Sequence, residues 1–227
     1  MGYAIPLIGL SFGALLTATG LALRDGFRPM QGLAHATRVI RWGVGGLLLI
    51  AILPLWVVGY STLVLSLTLM AAIAAPPPRG NLSSRYNAIT LLPALVLTGV
   101  CLCLTAGFVK VGGDVASSAS LVALVYGGLA ARVLSEALGA LASPTAVPGR
   151  LFDALYLLLT LLVGANALVS LWQRGLAWEG NPEANGLLGA WLAWSAAWLS
   201  PRTHPRLRAG LVAVAAVLLI MLVLGVG

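Results

Sequence analysis

The sequence predicts an all-α fold, a polytopic transmembrane bundle of about eight helices in a single domain over residues 1 to 227, on three observations. Hydrophobic residues make up 60% of the chain and charged residues 8%, with a mean hydropathy of +1.01, whereas soluble domains carry about 25% charged residues. Apolar runs recur at the length a helix needs to cross hydrocarbon, roughly 20 residues. Basic residues gather in alternate connections between those runs, as in membrane proteins whose cytoplasmic loops are rich in Lys and Arg.

The first segment, about Ala4 to Leu23, has no basic residue before it and Arg24 and Arg28 after it. It reads as a retained helix with its N-terminus outside, not as a cleavable signal peptide. From Arg41 to Ala75 the chain is nearly uncharged for more than one span's length, so it holds two helices with a break near Val58-Gly59-Tyr60-Ser61. Pro76-Pro77-Pro78 stops the third helix. The fourth runs from about Ala88 to Val109, the fifth from about Ala116 to Leu141, and the sixth from near Leu151 to Arg174. The seventh, Gly186 to Ser200, would cover only about 22 Å of the roughly 30 Å core, which leaves seven spans as the alternative. The eighth is about Ala209 to Val226.

Charge favours eight. With the N-terminus outside, Arg24, Arg28, Arg38, Arg41, Arg79, Arg85, Arg150, Arg202, Arg206 and Arg208 fall in inner loops, and Lys110 and Arg174 in outer ones. Omitting the seventh span would move Arg202, Arg206 and Arg208 outside, against the positive-inside rule. Both termini are therefore expected outside. No basic run interleaved with aromatics suggests nucleic acid, and the partners expected are the lipid bilayer and other membrane subunits. Cys101 and Cys103, about 200° apart on a helix, are packing or lipid-facing residues with no disulfide between them.

Few residues offer chemistry. Arg132 and Glu136 are spaced i, i+4 within the fifth segment and can pair. With Asp153 at the start of the next helix they form a candidate polar cluster, either a structural tie near the inner interface or an ion path. Trp191, Trp194 and Trp198 fall within about 60° on one side of the seventh helix, as a packing and interface stripe or as the wall of a cofactor site. Gly9 with Gly13, Gly127 with Gly128, and Gly186 with Gly189 supply small surfaces for helix approach. No nucleophile, base and acid set, P-loop or metalloprotease motif is present, so catalytic residues and metal ligands are expected to be absent.

Trp178-Glu179-Gly180-Asn181-Pro182, running into Leu188, Trp191, Leu192 and Trp194, resembles the tryptophan-rich W-x-W-D-P stretch of the cytochrome c assembly family of membrane haem-handling proteins. Leu151-Phe152-Asp153-Ala154-Leu155-Tyr156 resembles that family's opening of the preceding helix, and Arg206, Arg208, Gly210 and Leu224-Gly225-Val226 its final helix. The likeness covers about residues 150 to 227. Asn181 stands for the family's Asp, and Gly180 and Gly186 for two of its Trp. The resemblance implies a bacterial cytoplasmic membrane and haem handling by an outer loop, with Trp178, Trp191, Trp194 and Trp198 as cofactor-binding candidates. The family's outer-side ligand histidines have no counterpart, because His35 and His204 are the only histidines and both fall in inner loops. The chain is thus expected to be a non-catalytic accessory or scaffold subunit of a larger membrane complex, without a cofactor. Haem binding or translocation in cytochrome c biogenesis, and ion or solute transport through Arg132, Glu136 and Asp153, are the alternatives.

Overall fold

The computed structural model describes residues 4–27, 32–58, 62–77, 84–105, 118–142, 150–178, 180–200 and 204–224. Among these residues every regular element is an α-helix, and five helices are long and apolar enough to cross a membrane. The chain is an all-helical, membrane-type bundle. The helices are α1 (Ala4–Phe27), α2 (Leu33–Val58), α3 (Thr62–Ala74), α4 (Ser84–Ile89), α5 (Leu92–Thr105), α6 (Ser118–Ala142), α7 (Arg150–Arg174), α8 (Pro182–Leu199) and α9 (Pro205–Val223). The expected turn at Gly59 to Ser61, the third proline of the triplet and the residues Arg28, Arg79, Lys110 and Arg202 lie outside the described residues.

The nine described helices make eight segments, the fourth of them broken into α4 and α5, and the described part of α3, 13 residues, is shorter than a full span. Pro93 has no N–H to offer the preceding turn. Just before it, the Leu91 N–H turns back to Ala88 O at 3.2 Å, three residues away, while Leu95 N–H resumes the four-residue pattern to Leu91 O at 3.0 Å. The expected single helix from Ala88 is corrected accordingly, since a proline two residues inside α5 forces a new start there.

Two boundaries move for local reasons. Helix α2 begins at Leu33, eight residues before Arg41, so Arg41 lies inside a membrane helix instead of in a loop. Helix α8 begins at Pro182 because Asn181 caps it, its side chain accepting from Ala184 N–H at 2.7 Å, with Pro182 at a position that needs no N–H. Its 18 residues cover about 27 Å at 1.5 Å per residue, where the expected segment is about a turn shorter.

Helix α3 is the centre, packed by α2, α5 and α6, and almost all of its described side chains are buried. Helix α6 joins it to α9, which pairs with α8, and α7 stands at the far edge against α8. The α3–α6 crossing is close because Gly127 faces Met70 and Gly128 faces Ile73, where a Cβ would overlap those side chains. Gly13, by contrast, meets nothing, so the Gly9 and Gly13 pair is no packing groove within this chain.

Successive segments alternate in direction. Early α2 touches the end of α3 and the second half of the short α4, the second half of α6 touches the same α3 end, and early α7 touches late α8 and early α9. One end of the bundle therefore gathers Arg24, Arg38, Arg206 and Arg208, while Arg174 lies at the other.

Candidate functional site

The polar centre of the molecule is built on a shortage of N–H groups. Helix α3 ends at Ala74 and runs into a proline triplet, which has no N–H to offer the carbonyls just past the helix end, those of Ala75, Pro76 and Pro77. Arginine side chains supply donors instead. Arg41, wholly buried, donates from Nε to Ala75 O at 2.8 Å, from Nη2 to Pro76 O at 3.2 Å, and from Nη1 to Asn87 O at 3.2 Å and Thr90 Oγ1 at 2.9 Å. Arg132 donates from Nη1 to Pro76 O and from Nη2 to Pro77 O at 3.2 Å. Its Nε meets Glu136 Oε1 at 3.1 Å.

The broken fourth segment is tied into the same cluster. Leu91 N–H having gone to Ala88, Asn87 O is left for Arg41 and for the Thr90 hydroxyl at 3.1 Å. Ser135 Oγ, on α6, donates to Thr90 O at 2.6 Å. Gly139 lets Tyr86 and Thr90 approach α6, where a Cβ would clash with both. Two guanidiniums thus bind the segment past the end of α3 and the break between α4 and α5, with Glu136 their described acidic partner. Desolvating an arginine costs several kcal/mol, and charge-assisted hydrogen bonds of about 1.5–3 kcal/mol each offset it because Arg41 makes four of them and the less buried Arg132 three.

The structure joins Arg132 to Glu136 and leaves Asp153 apart, exposed at the start of α7 with no described ion pair. Arg41, Thr90, Ser135 and Tyr86 escape the sequence reading. The signal for Arg41 was present: a proline triplet that cannot cap itself, and an arginine at the mouth of a long apolar run.

The tryptophan stripe is a seam between α8 and α7. Trp194, 1% exposed, stacks on Phe152 with centroids 5.3 Å apart, and Trp198 stacks on Tyr156 at 5.9 Å. Trp191 Nε1 donates to Thr160 Oγ1 at 3.1 Å, and Tyr156 Oη lies 3.1 Å from Ser195 Oγ. Phe152, Tyr156 and Thr160 are spaced i, i+4, i+8, so one side of α7 meets the whole stripe. The loop before α8 is likewise closed on itself. Trp178 Nε1 donates to Asn185 Oδ1 at 3.1 Å, Asn185 Nδ2 to Gly180 O at 3.0 Å, and Gly180 takes φ +68°, a left-handed conformation that favours glycine. Asn181, matched to the family's Asp, acts here as a helix cap.

Cys101 is buried with its thiol 3.1 Å from Thr68 Oγ1, and Cys103 is exposed on the other side of α5. His35, in the first turn of α2, and His204, before α9, are both exposed at the basic end. Among the described residues no three His, Cys, Asp or Glu side chains group as a metal would require. No protein-family model matches the chain, and neither a search of curated proteins nor one of solved structures returns a match.

Proposed function

We propose that the chain is a non-catalytic accessory or scaffold subunit of a larger membrane complex, with α7 as the flank that receives a partner. One observation carries the reading. The bundle-facing stripe of α7 starts with Phe152, Leu155 and Leu159, all buried, yet the same stripe at Asn166 is exposed. Asn166 lies sixteen residues into the helix, about 24 Å along its axis, so its carboxamide sits at membrane depth. No described hydrogen bond reaches it. Ser170, one turn on, is buried with an unpartnered hydroxyl. A carboxamide facing hydrocarbon is costly, and side-chain amides join transmembrane helices across interfaces. Only 17% of the α7 span is buried, the least of the five long apolar helices.

The arginine cluster supports the same reading, since guanidinium donors bound to backbone carbonyls tie helices together and leave little for a passing ion. Descent from the cytochrome c assembly family, with the haem ligands lost, is part of the proposal and rests on the tryptophan-rich loop and the helices around it.

Mild-detergent purification from native membranes, followed by identification of co-purifying chains, tests it. We expect a membrane partner in stoichiometric amount, released by Asn166→Leu while the bundle stays folded. A chain that purifies alone and monodisperse, unchanged by Asn166→Leu, would defeat the proposal.

A further inference from the structure

At the basic end, α7, α8 and α9 meet in an aromatic stack capped by a cation. Phe152 of α7 and Trp194 of α8 are each 1% exposed and stacked, and the Arg208 guanidinium of α9 lies over the Phe152 ring with Cζ 4.8 Å from its centroid. Ring contact holds the guanidinium plane, and a planar fork held in this way is suited to receive two oxygens of a phosphate. No described acid neutralises it: Asp153, next to Phe152, makes no ion pair with it, and Glu136 pairs with Arg132. Arg208 Nε is buried and unpartnered, as is Ser200 Oγ at the end of α8. Arg206 and His204 lie exposed on the same connection. One turn deeper on Arg208's side of α9 comes Leu211, flanked along the helix by Leu207 and Val214, 56% and 54% exposed. A phosphate on the fork would therefore have an apolar strip running into the membrane beside it.

We infer that the Phe152, Trp194 and Arg208 stack is a binding site for the phosphate of an anionic lipid headgroup, with Arg208 as its anchor and an acyl chain along Leu207, Leu211 and Val214. Basic pockets between transmembrane helices take such headgroups. The ring contact distinguishes this arginine from Arg24 and Arg38, exposed at the same end with no described ring beneath them. The site is independent of the partner surface on α7 proposed above.

The test is native mass spectrometry of the full chain released from nanodiscs containing equal phosphatidylglycerol and phosphatidylcholine. Thermal unfolding shows that each variant is folded. We expect one retained phosphatidylglycerol, and a loss of about tenfold in its retention for Arg208→Gln, as for one charge-assisted pair. Phe152→Leu keeps the charge, releases the fork and should lower retention severalfold, while Arg38→Gln should leave it within about twofold. Equal loss in Arg38→Gln and Arg208→Gln would overturn the site in favour of a diffuse basic surface. So would undiminished retention in Arg208→Gln or, should that variant fail to fold, in Phe152→Leu. Displacement of the lipid by an equal concentration of inorganic phosphate would overturn the lipid assignment and leave a free-phosphate site.

Discussion

Arg41 and Arg132 look alike in sequence and share Pro76 O as an acceptor, but they carry different weights. Arg41 is wholly buried and holds α2 to the ends of α3 and α4 through four hydrogen bonds. Arg41→Gln should destabilise the protein by about 3 kcal/mol, as for a broken buried polar network. Arg41→Lys should recover little, because one ammonium nitrogen cannot reach all four acceptors on two chain segments that the guanidinium's three nitrogens span. Chemical denaturation in a fixed detergent measures both, and stability within error of the parent would refute the clamp. For Arg132 and Glu136, the sequence alone suggests an ion pair whose double removal is tolerated better than either single change. The contacts of Arg132 with Pro76 and Pro77 alter that expectation. Glu136→Gln should be mild, Arg132→Gln clearly worse, and the double variant close to Arg132→Gln, with a coupling of about 1 kcal/mol or less. A double variant restored to parental stability would show that the ion pair outweighs the carbonyl contacts.

At the level of elements, segment lengths and most stops were legible because apolar runs and proline act locally. What was not legible depended on distant partners. The break at Thr90 and Leu91 follows from Pro93, which was in view, but the groups that satisfy the freed carbonyls come from α2 and α6. Arg41 looked like a loop residue for the same reason, since its acceptors lie 34 to 49 residues away. The start of α8 is legible in Asn181-Pro182, an N-cap followed by proline, although the polar run before Gly186 has the composition of a loop. Asn181→Ala should cost about 1 kcal/mol, and Gly180→Ala a further 1–2 kcal/mol, roughly, at its left-handed φ. Thermal melts of both variants check this. Among the glycines, Gly128→Val should disrupt the α3–α6 crossing and Gly13→Val should not; equal melting temperatures would contradict the packing.

For the whole molecule, alternation of helices was predictable from charge and length, and the contacts between helix ends agree with it. By the positive-inside rule we predict that the end bearing Arg24, Arg38, Arg206 and Arg208 faces the cytoplasm. A cysteine placed at position 204 in a cysteine-free variant should resist membrane-impermeant reagents in sealed cells and react once the membrane is opened. Labelling in sealed cells would invert the topology. We also expect the purified chain to show no stoichiometric Soret band, since haem iron is most often held by histidine and both histidines lie at this basic end. Met1 and Tyr3, near the start of the first helix, and Tyr60, in the expected turn after the second, are the substitute donors that the sequence offers, and a band that shifts on reduction and is lost on replacing one of them would move the assignment to haem handling. The candidate site was legible only in its outline. Trp191, Trp194 and Trp198 were visible as a stripe, but that Phe152, Tyr156 and Thr160 of α7 occupy it depends on helix pairing that spacing along one helix cannot reveal.

The position of Arg41 has a consequence for biogenesis. Its acceptors, Ala75, Pro76, Asn87 and Thr90, follow α2 in the chain and reach the membrane after it, so the guanidinium arrives there with none of them yet available. An arginine well inside a spanning segment opposes insertion by up to about 2.5–3.5 kcal/mol at mid-membrane. Nascent α2 should therefore wait at the insertion machinery until α3 and α4 arrive, and the three segments should enter as a group. In a truncation series probed by glycosylation tags, α2 should become stably integrated only after residue 90 has emerged. Arg41→Leu should integrate α2 at once and yet yield a less stable finished protein.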